Sequence, residues 1–560
     1  MIRPTPSQIA IRDAAARDLL VIAPAGCGKT EALALRIQGL LLRGDVSAPQ
    51  RILVTTFSNR ARDNIRERLQ DYLPSATLRD RVTITNFHGL AARLFRAHAN
   101  VIGLDPSMII PDGDWVGAQC RAQGFDFNTS SAVQTTLRKA KQEPRTDEAV
   151  ETYLSAPGRE AALAIERLRV AEGRLTYDDL PRLAELILAN DLVADLYQAH
   201  FGSVIVDEFQ DLTPQQLRIV NRIGYKKTTY AGDLAQGIYG FAGAKPTEID
   251  AAIRAECTEV IEFSESHRSS PAVLAMVNAM TTLTAGTPLT AAEPASWPSG
   301  GLAASVAHPT ADAEGTWVAQ VANALVARVP DQRVGIIART LGRRRFVEDA
   351  LTSAGVAFYR WDDGVLDTDT ARTMKSMLAR FDARGYDAAG DKMTFLRDAA
   401  GFESVADPAG RESLLGALHW CHDLLRDGAT AADIRSRIQV GDANTLITAS
   451  GVHLLTGHVG KGQQFDWVVV VGLEEGVIPD FRATSAEEKT EEARVLSVML
   501  SRARHGVVVS RAASVPTNAG RPMNRTPSSF LTNIAAASPL NDTGLVEWFS
   551  AADWAAIAVR

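Results

Sequence analysis

The chain has 560 residues, of which 46% are hydrophobic and 22% charged, and its net charge is −7. Since domains usually contain about 100–200 residues, this length predicts several domains, and the composition is that of a soluble globular protein. No uninterrupted run of 18 apolar residues offers a membrane span, and the negative charge argues against binding of polyanions through the whole surface. Any nucleic acid would have to bind in a locally basic channel.

The first twenty residues carry charges where a signal peptide needs its apolar stretch, which predicts a cytoplasmic protein that does not associate with a membrane. The cysteines lack C-x-x-C spacing, so they indicate neither a zinc site nor a disulfide framework. They are Cys27, Cys120, Cys257 and Cys421.

Short hydrophobic segments alternate with helical patterns along much of the chain. The clearest are residues 18–26, 51–58, 203–210 and 333–340. Apolar runs of this length, separated by helical patterns, are typical of buried strands in a parallel sheet. The pattern predicts an α/β fold.

Three stretches depart from this alternation. Residues 89–199 have mostly helical periodicity and read as a helical insertion, and residues 363–440 read as a second, shorter one. Residues 511–560 form a C-terminal extension that ends in an amphipathic segment with Trp548 and Trp554.

A small-residue and glycine turn follows the first strand, in the sequence "VIAPAGCGKT" at 21–30. Backbone N–H groups and a helix N-terminus would face the phosphates of a nucleotide, while Lys29 bridges the terminal ones and Thr30 binds magnesium. The first glycine of the usual pattern is Ala23 here. The predicted loop consists of Ala23, Pro24, Ala25, Gly26, Cys27, Gly28, Lys29 and Thr30.

A second apolar run, "VIVDEFQD" at 204–211, delivers two carboxylates to the end of a buried strand. Ligands of open α/β sheets bind at this edge. Asp207 suits the magnesium shell, and Glu208 suits orienting or deprotonating the attacking water. A solvated acidic turn is the alternative, but together with the upstream loop the pair indicates a nucleoside triphosphatase.

Here the residues resemble the UvrD/Rep/PcrA group of superfamily 1 DNA helicases, whose Walker B motif reads D-E-x-Q-D. Asp207, Glu208, Gln210 and Asp211 match it. Further matches to the family's motifs follow in the family's order, at residues 55–69, 83–96, 175–180, 231–244, 265–269, 334–359, 458–465 and 491–504.

The resemblance implies two RecA-like motor domains with parallel sheets, each carrying a mainly helical insertion, and ATP in the cleft between them. Residues 1–88 and 200–262 would form the first motor domain. Residues 263–362 and 441–510 would form the second. ATP and magnesium (Mg²⁺) are the cofactors that the family uses.

The matched positions also imply site residues. The catalytic set would be Lys29, Asp207, Glu208, Gln236, Arg268 and Arg502. The phosphate loop would be joined in binding ATP by Gln8, Arg36, His267, Arg268, Gln464 and Arg502. DNA would be bound by Phe57, Asn59, His88, Tyr239, Phe241 and His458, although an aromatic residue at any one of these positions could equally belong to the core.

Several positions depart from the family. His267 replaces a tyrosine that stacks on adenine in the family. Gln464 replaces a glutamate that is expected to hold the ribose. Phe241 and Ala242 replace a tryptophan and an arginine on the DNA side, and Glu31 replaces a frequent arginine. None of these changes falls in the catalytic set, so ATPase activity is expected to survive.

The stretch "HVGKGQQF" at 458–465 looks like a broken phosphate loop. No strand leads into Lys461 as one leads into Lys29, and no Ser or Thr follows Lys461. This stretch is therefore not a second phosphate loop. The resemblance makes this stretch a joint of the second motor domain, with His458 toward DNA and Gln464 toward the nucleotide.

Two functions remain open. The first is an ATP-dependent helicase or translocase that moves 3′ to 5′ on single-stranded or tailed duplex DNA. The second is a DNA-stimulated ATPase subunit that works with a protein partner such as a nuclease, for instance in anti-phage defence. The short second insertion and the amphipathic C-terminus motivate the second function. A small-molecule kinase is disfavoured because it leaves the motifs at 231–244 and 458–504 without a role.

Overall fold

The computed structural model describes most of the chain, with short gaps. The described residues are 4–56, 59–110, 115–240, 243–360, 365–366, 368–402, 408–426, 428–440, 448–457, 461–517 and 521–560. The predicted DNA contacts Phe57, Phe241 and His458 lie outside them. Asn59, another predicted DNA contact, begins a helix.

The first half of the chain is built on a six-stranded parallel sheet with the order β3-β2-β4-β5-β1-β6. Its strands are β1 (Leu19–Ile22), β2 (Arg51–Thr56), β3 (Val82–Asn86), β4 (Phe201–Asp207), β5 (Thr228–Gly232) and β6 (Glu259–Glu262). Every residue of the central strands β1, β4 and β5 is buried, which explains why β1 and β4 read as continuous apolar runs.

Helices cover both faces of this sheet and form the insertion between β3 and β4. They are α1 (Pro6–Asp13), α2 (Lys29–Leu42), α3 (Asn59–Gln70), α4 (Ser75–Arg81), α5 (Phe87–His98), α6 (Trp115–Ala122), α7 (Phe127–Lys141), α8 (Asp147–Leu154), α9 (Glu160–Ala171), α10 (Asp179–Leu188), α11 (Asp191–His200), α12 (Pro214–Ile223) and α13 (Pro246–Glu256).

The second half contains another six-stranded parallel sheet, with the order β11-β14-β10-β15-β16-β9. The strands of this half are β7 (Glu265–Ser266), β8 (Thr290–Ala291), β9 (Leu302–His308), β10 (Arg333–Ala338), β11 (Phe358–Arg360), β12 (Val365–Leu366), β13 (Gln439–Val440), β14 (Gly451–Thr456), β15 (Phe465–Val471), β16 (Ala503–Ala512), β17 (Ser514–Pro516) and β18 (Pro522–Asn524). The predicted α/β class with parallel sheets is confirmed.

The helices of the second half include a separate group between β12 and β13. They are α14 (Pro271–Asn278), α15 (Thr281–Thr284), α16 (Ala311–Arg328), α17 (Leu341–Ser353), α18 (Thr368–Ala379), α19 (Ala383–Ala388), α20 (Lys392–Ala399), α21 (Pro408–Arg426), α22 (Ala431–Arg437), α23 (Ala486–Leu500), α24 (Leu531–Ile534), α25 (Asp542–Ala551) and α26 (Trp554–Val559).

The predicted domain limits stay predictions, but the elements show where they fall. Residue 89, the predicted start of the first insertion, lies inside α5, whose buried side chains join the core of the first sheet. Residue 510 lies inside β16, which continues to Ala512. Helices α18–α22 pack around a core of their own. Across the described ranges, no helix combines the length and apolar character that a membrane crossing requires.

A fully buried ionic cluster holds the first insertion together. The Nζ of Lys141 lies 2.8 Å from Oε2 of Glu166 and 2.9 Å from Oδ2 of Asp179, and Nη2 of Arg182 lies 2.7 Å from Oδ1 of Asp179. Arg169 joins the same group. Although burial raises the pKa of Asp179, the surrounding cations outweigh it and hold that pKa well below its usual range. Asp179 therefore stays ionised as the shared anion of the cluster.

Replacing Asp179 with Asn should destabilise the fold by about 3–5 kcal/mol, because it leaves buried cations without their counter-charge. Urea titration followed by circular dichroism measures the loss. Asp191→Asn is the matched control, since Asp191 pairs with Arg222 while 85% of its side chain is exposed, and it should change stability by less than about 1 kcal/mol. Equal midpoints for the two variants would contradict the prediction.

The C-terminal helices pack on the second sheet. The Trp467 ring, in β15, lies 6.0 Å from the Trp548 ring and 5.7 Å from the Trp554 ring, measured between centroids. Leu545, Phe549 and Ile557 are buried in the same core. The amphipathic C-terminal segment thus covers its own domain.

Candidate active site

The segment between β1 and α2 is a glycine turn that leads directly into a helix. Gly26 and Gly28 have φ angles of +89° and +81°, which glycine adopts without strain. A Cβ on Gly26 would lie 2.6 Å from Cβ of Arg268, so glycine permits the close approach of the second half of the chain. Ala23 is buried and donates its N–H to the Gly232 carbonyl at 2.8 Å. The N-terminus of α2 is placed to receive phosphates.

Lys29 lies at the end of β4, between the two predicted catalytic carboxylates. Its Nζ is 2.8 Å from Oδ1 of Asp207 and 2.5 Å from Oε1 of Glu208. The carboxylates therefore already surround a positive charge at the place where a magnesium ion is expected. Thr30, in the first turn of α2, adds a hydroxyl oxygen, and magnesium prefers oxygen ligands. These residues fit Mg²⁺ with a nucleotide.

Glu208 is held in a strained, oriented position. Its φ of 58° is in the left-handed region, which is uncommon for a residue with a side chain and occurs often at functional sites. Although burial raises its pKa, Lys29 and Lys461 outweigh this and hold the pKa of Glu208 well below its usual range. Glu208 is thus ionised at neutral pH and able to accept a proton.

A chain of hydrogen bonds connects Glu208 to the strand β5 motif. Gln210 donates from Nε2 to Oε2 of Glu208 at 2.5 Å, and its Oε1 accepts the backbone N–H of Asp233 at 3.0 Å. Gln236 donates from Nε2 to Oδ2 of Asp233 at 2.9 Å. Gln236, a predicted catalytic residue, therefore belongs to one network with Glu208.

A cavity of about 340 Å³ opens beside the phosphate loop. Residues from both halves of the chain line it, namely Gly26, Gly28, His267, Arg268, Arg333, Gln464, Phe465, Arg502 and Arg504. Six of the predicted ATP-binding residues are among them. The sequence-based reasoning did not single out Arg333 and Arg504.

Two arginines face this cavity, Arg502, which is buried, and Arg268, which is half-buried. Only 2% of Arg502 is exposed, and it donates to the Val498 carbonyl and the Ser501 hydroxyl, both at 2.9 Å. Burial, reinforced by Arg268, lowers the pKa of Arg502. Within the described part of the chain, no carboxylate forms an ion pair with Arg268 or Arg502. A buried and a half-buried cation that lower each other's tendency to hold charge are costly without a counter-ion, so an anion is expected between them.

Gln8 and His267 border the phosphate loop. Gln8, fixed in the first turn of α1 by a capping box with Thr5, donates from Nε2 to the Gly28 carbonyl at 3.3 Å. His267 donates its backbone N–H to the Gly26 carbonyl at 3.1 Å, and its side chain is exposed at the cavity. Both residues are therefore placed where they could contact the base of a bound nucleotide.

The prediction that Arg36 contacts ATP is not supported. Arg36 is fully buried, and its guanidinium donates to the Ala14 carbonyl at 2.6 Å, to the Ala16 carbonyl, and to the Thr229 hydroxyl at 3.2 Å. It lies seven residues after Lys29 in α2, about 10 Å along the helix axis. Arg36 therefore joins α1 and β5 to α2 instead of reaching the phosphates.

Two of the predicted DNA-binding residues, His88 and Tyr239, follow strands β3 and β5 of the first sheet. His88 is exposed and makes an edge-to-face contact with Tyr177 at 5.7 Å. Tyr239 is half-buried, with Nζ of Lys461 4.7 Å from its ring centroid. Their role in binding DNA stays a prediction.

Lys461 joins the two halves of the chain. Its Nζ lies 2.7 and 2.8 Å from the carboxylate oxygens of Asp211 and 2.9 Å from the Gln236 carbonyl. Burial raises the pKa of Asp211 to about 6 despite the lowering effect of Lys461. The bridge connects Lys461 of the second half to the Walker B segment of the first.

A second contact between the halves involves the loop that carries Tyr239. The backbone N–H of Gly240 donates to Oε1 of Glu491, in α23, at 2.9 Å. A Cβ on Gly240 would lie 2.3 Å from Oε2 of Glu491, so glycine allows this contact. The loop that carries Tyr239 is thereby attached to the helix that precedes Arg502.

A phosphate loop, two carboxylates at a strand end and two arginines from the facing half define a P-loop nucleoside triphosphatase with its site between two parallel-sheet halves. Residues 5–255 match the UvrD/REP helicase N-terminal domain, and residues 433–514 match the UvrD-like helicase C-terminal domain. Together the two matches span more than half of the chain. The chain belongs to the UvrD-like helicase family, and the predicted family is confirmed. It is therefore an ATP-dependent DNA helicase by class.

Individual relatives agree with this assignment. The chain is 28% identical to the ATP-dependent DNA helicase UvrD2 of Mycobacterium tuberculosis, over 92% of this chain and 79% of the relative. It is 25% identical to UvrD1 of the same organism, over 92% and 83%. It is 31% identical to the ATP-dependent DNA helicase PcrA of Leuconostoc citreum, over 41% of this chain and 32% of the relative.

Proposed function

We propose that the chain is an ATP-driven motor that travels 3′ to 5′ along single-stranded DNA and separates duplexes by closing and opening the cleft between its halves. The observation that carries the proposal is the shared cavity, in which Gly26 and Gly28 of the first half face Arg268 and Arg502 of the second. A ligand with several negative charges would draw these groups together.

In this proposal the reaction is in-line attack of water on the terminal phosphate. Magnesium, when bound by Thr30 and Asp207, supplies charge neutralisation at the phosphate oxygens. Glu208 orients the water and accepts its proton, with its carboxylate aligned by Gln210. Lys29 leaves the two carboxylates and turns to the phosphates. Arg268 and Arg502 stabilise the charge that develops on the transferred group.

Coupling to DNA rests on the contacts that cross the cleft. Lys461 contacts Asp211 and the Gln236 carbonyl, which lie on either side of the water-activating network. Glu491 holds the loop that begins at Tyr239. A change in cleft width would therefore move the predicted DNA-binding loops together with the catalytic network, which supports one step along the strand per hydrolysis cycle.

The alternative, an ATPase subunit that depends on a nuclease or other partner, is not favoured. The amphipathic C-terminal segment motivated it, but Trp548 and Trp554 pack against Trp467 within the second half. The relatives that match 92% of the chain are named as ATP-dependent DNA helicases. Action on DNA accords with the predicted cytoplasmic location, which stays a prediction.

The direction of travel is tested with streptavidin displacement from biotinylated single strands. A 3′ to 5′ motor should clear streptavidin from the 5′ end and leave it on the 3′ end, and it should unwind a 3′-tailed duplex in preference to a 5′-tailed one. Lys29→Ala is the inactive control.

Binding of single strands should also weaken steeply with salt if the channel contacts phosphates. ATP hydrolysis that single-stranded DNA does not stimulate would contradict the motor proposal.

A further inference from the structure

We propose that helix α23 couples the loop that carries Tyr239 to Arg502, so that a strand bound at this loop sets the position of the arginine at the nucleotide. Glu491 and Arg494 are the positioning residues of this coupling. The inference rests on the proposed ATP-driven motion along DNA, and it names the regulation of the same site. Through one helix, the strand and the nucleotide each change the affinity for the other.

One end of α23 holds Arg502. The helix ends at Leu500, and Arg502 follows two residues later. Nε of Arg502 donates to the Val498 carbonyl, in the last turn of α23, and Nη2 donates to the Ser501 hydroxyl, both at 2.9 Å. The guanidinium is thus bonded to the end of the helix itself. Because Arg502 also lines the cavity, a displacement of α23 changes what a bound nucleotide meets.

Two side chains nearer the start of α23 contact the first half of the chain. Oε1 of Glu491 accepts the backbone N–H of Gly240 at 2.9 Å. One turn later, Nη2 of Arg494 donates to the Thr247 hydroxyl at 3.0 Å. Gly240 directly follows Tyr239, the predicted DNA contact, and Thr247 lies in the first turn of α13. These two hydrogen bonds attach α23 to both Gly240 and Thr247.

The contact with Gly240 explains why this position is a glycine. Gly240 does not have a positive φ, so its backbone conformation does not require glycine. A Cβ at this position would, however, lie 2.3 Å from Oε2 of Glu491. Glu491 is half-buried and only 4% of Arg494 is exposed, and hydrogen bonds of charged groups contribute more than those of neutral ones. Both contacts are therefore suited to transmit a displacement.

α23 moves as one body with the second half. Its buried side chains pack in the core of the second sheet, among them Val495, Leu496 and Met499. Glu492 accepts two hydrogen bonds from the guanidinium of Arg339, at 2.6 and 3.0 Å. The seven residues from Glu491 to Val498 span about 10 Å along the helix axis. A shift of Gly240 is therefore passed to the far end of the helix.

Equilibrium binding measures this coupling. Anisotropy of a fluorescently labelled oligothymidylate strand gives the dissociation constant of the full chain for DNA, without and with saturating ATPγS and magnesium. The ratio of the two constants is the coupling factor, which should differ from one by about 5–150-fold in the wild type. In Glu491→Ala it should fall to within about twofold of one. Glu547→Ala removes an exposed glutamate on α25 of the same half, and this matched control should keep the wild-type factor.

Milder variants test each contact separately. Glu491→Gln keeps an acceptor oxygen without the charge, so it should retain part of the coupling factor. Thr247→Val removes only the hydroxyl acceptor and should bring the factor about threefold closer to one. Gly240→Ala displaces the Glu491 carboxylate, and it should add nothing to Glu491→Ala because both changes remove one contact.

The link to Arg502 has its own test. In an Arg502→Ala background, Glu491→Ala should leave the coupling factor unchanged, because the helix then no longer carries the arginine. A further loss in this background would show that the coupling bypasses Arg502 and would overturn that part of the inference.

A wild-type coupling factor in Glu491→Ala would overturn the inference, even if both affinities fell. Loss of folded protein weakens the binding of both ligands but leaves their ratio unchanged, so the factor separates positioning from stability. Additive effects of Gly240→Ala and Glu491→Ala would also count against the contact. A wild-type chain that binds the strand equally well with and without ATPγS would instead reject the proposed function.

Discussion

Replacing Glu208 with Gln should lower kcat for ATP hydrolysis by about 10²–10⁴-fold, the usual range for loss of a general base, while ATP binding stays at least as tight. The carboxylate is ionised, aligned by Gln210 and placed next to Lys29. An amide keeps the shape but cannot accept a proton. It also frees Lys29 from one of its two anions, which favours phosphate binding.

Steady-state hydrolysis and ATPγS titration measure the two quantities separately. Glu262→Gln is the matched control, since Glu262 is exposed at the end of β6, and it should behave as wild type. A kcat within about fivefold of wild type would show that another group takes the proton.

The pH dependence follows from the lowered pKa of Glu208. A carboxylate with a folded-state pKa below its unfolded value contributes stability above the unfolded pKa, which is about 4.3 for Glu, and loses it as pH falls through the folded pKa. The same ionisation supports catalysis, so kcat should stay flat from pH 6 to 8 as far as Glu208 is concerned.

Replacing Arg502 with Ala should lower kcat by about 10³–10⁵-fold, as expected for an arginine that stabilises the transferring phosphoryl group. Arg502 faces the cavity with Arg268 and has no carboxylate partner among the described residues. The loss should appear mainly in kcat, because the extra charge develops in the transition state.

Arg502 also donates to the Val498 carbonyl, so its removal could unsettle the fold. Arg502→Lys keeps a cation and checks this: it should retain the wild-type circular dichroism spectrum and melting temperature, yet stay at least about 10²-fold slower, because a point charge cannot reproduce bidentate contacts. A wild-type kcat for Arg502→Lys would show that bidentate contact is unnecessary. A kcat near wild type for Arg502→Ala would exclude Arg502 from catalysis.

Local patterns carried most of what could be predicted from the sequence. The strand, turn and helix around Lys29, and the apolar run that ends at Asp207, are each encoded within about ten residues, so both were located correctly as elements of an α/β fold. Family resemblance then indicated Arg268 and Arg502, which line one cavity in the structure although 234 residues separate their numbers.

Pairings between distant side chains were beyond the sequence. The residue type of Lys461 did not indicate Asp211 as its partner, since the ion pair depends on how the two halves meet. Arg36 was misassigned because its position in α2 was matched without following its side chain, which is saturated by backbone carbonyls. Arg504 ends the matched stretch 491–504 but was not singled out, because its place in the cavity wall emerges only when β15 and β16 are paired.

The tryptophan cluster of the second sheet gives this chain a built-in optical reporter. The eight tryptophans are Trp115, Trp297, Trp317, Trp361, Trp420, Trp467, Trp548 and Trp554, and the first-half sheet with its covering helices contributes none of them. Trp115 alone is in the first insertion. Trp297 packs in the core of the first sheet, whereas Trp467, Trp548 and Trp554 pack together on the second. Because Trp467 follows Asp466, which contacts Arg333 and Arg504 of the cavity wall, Trp467 is suited to sense events in the cleft without any attached dye.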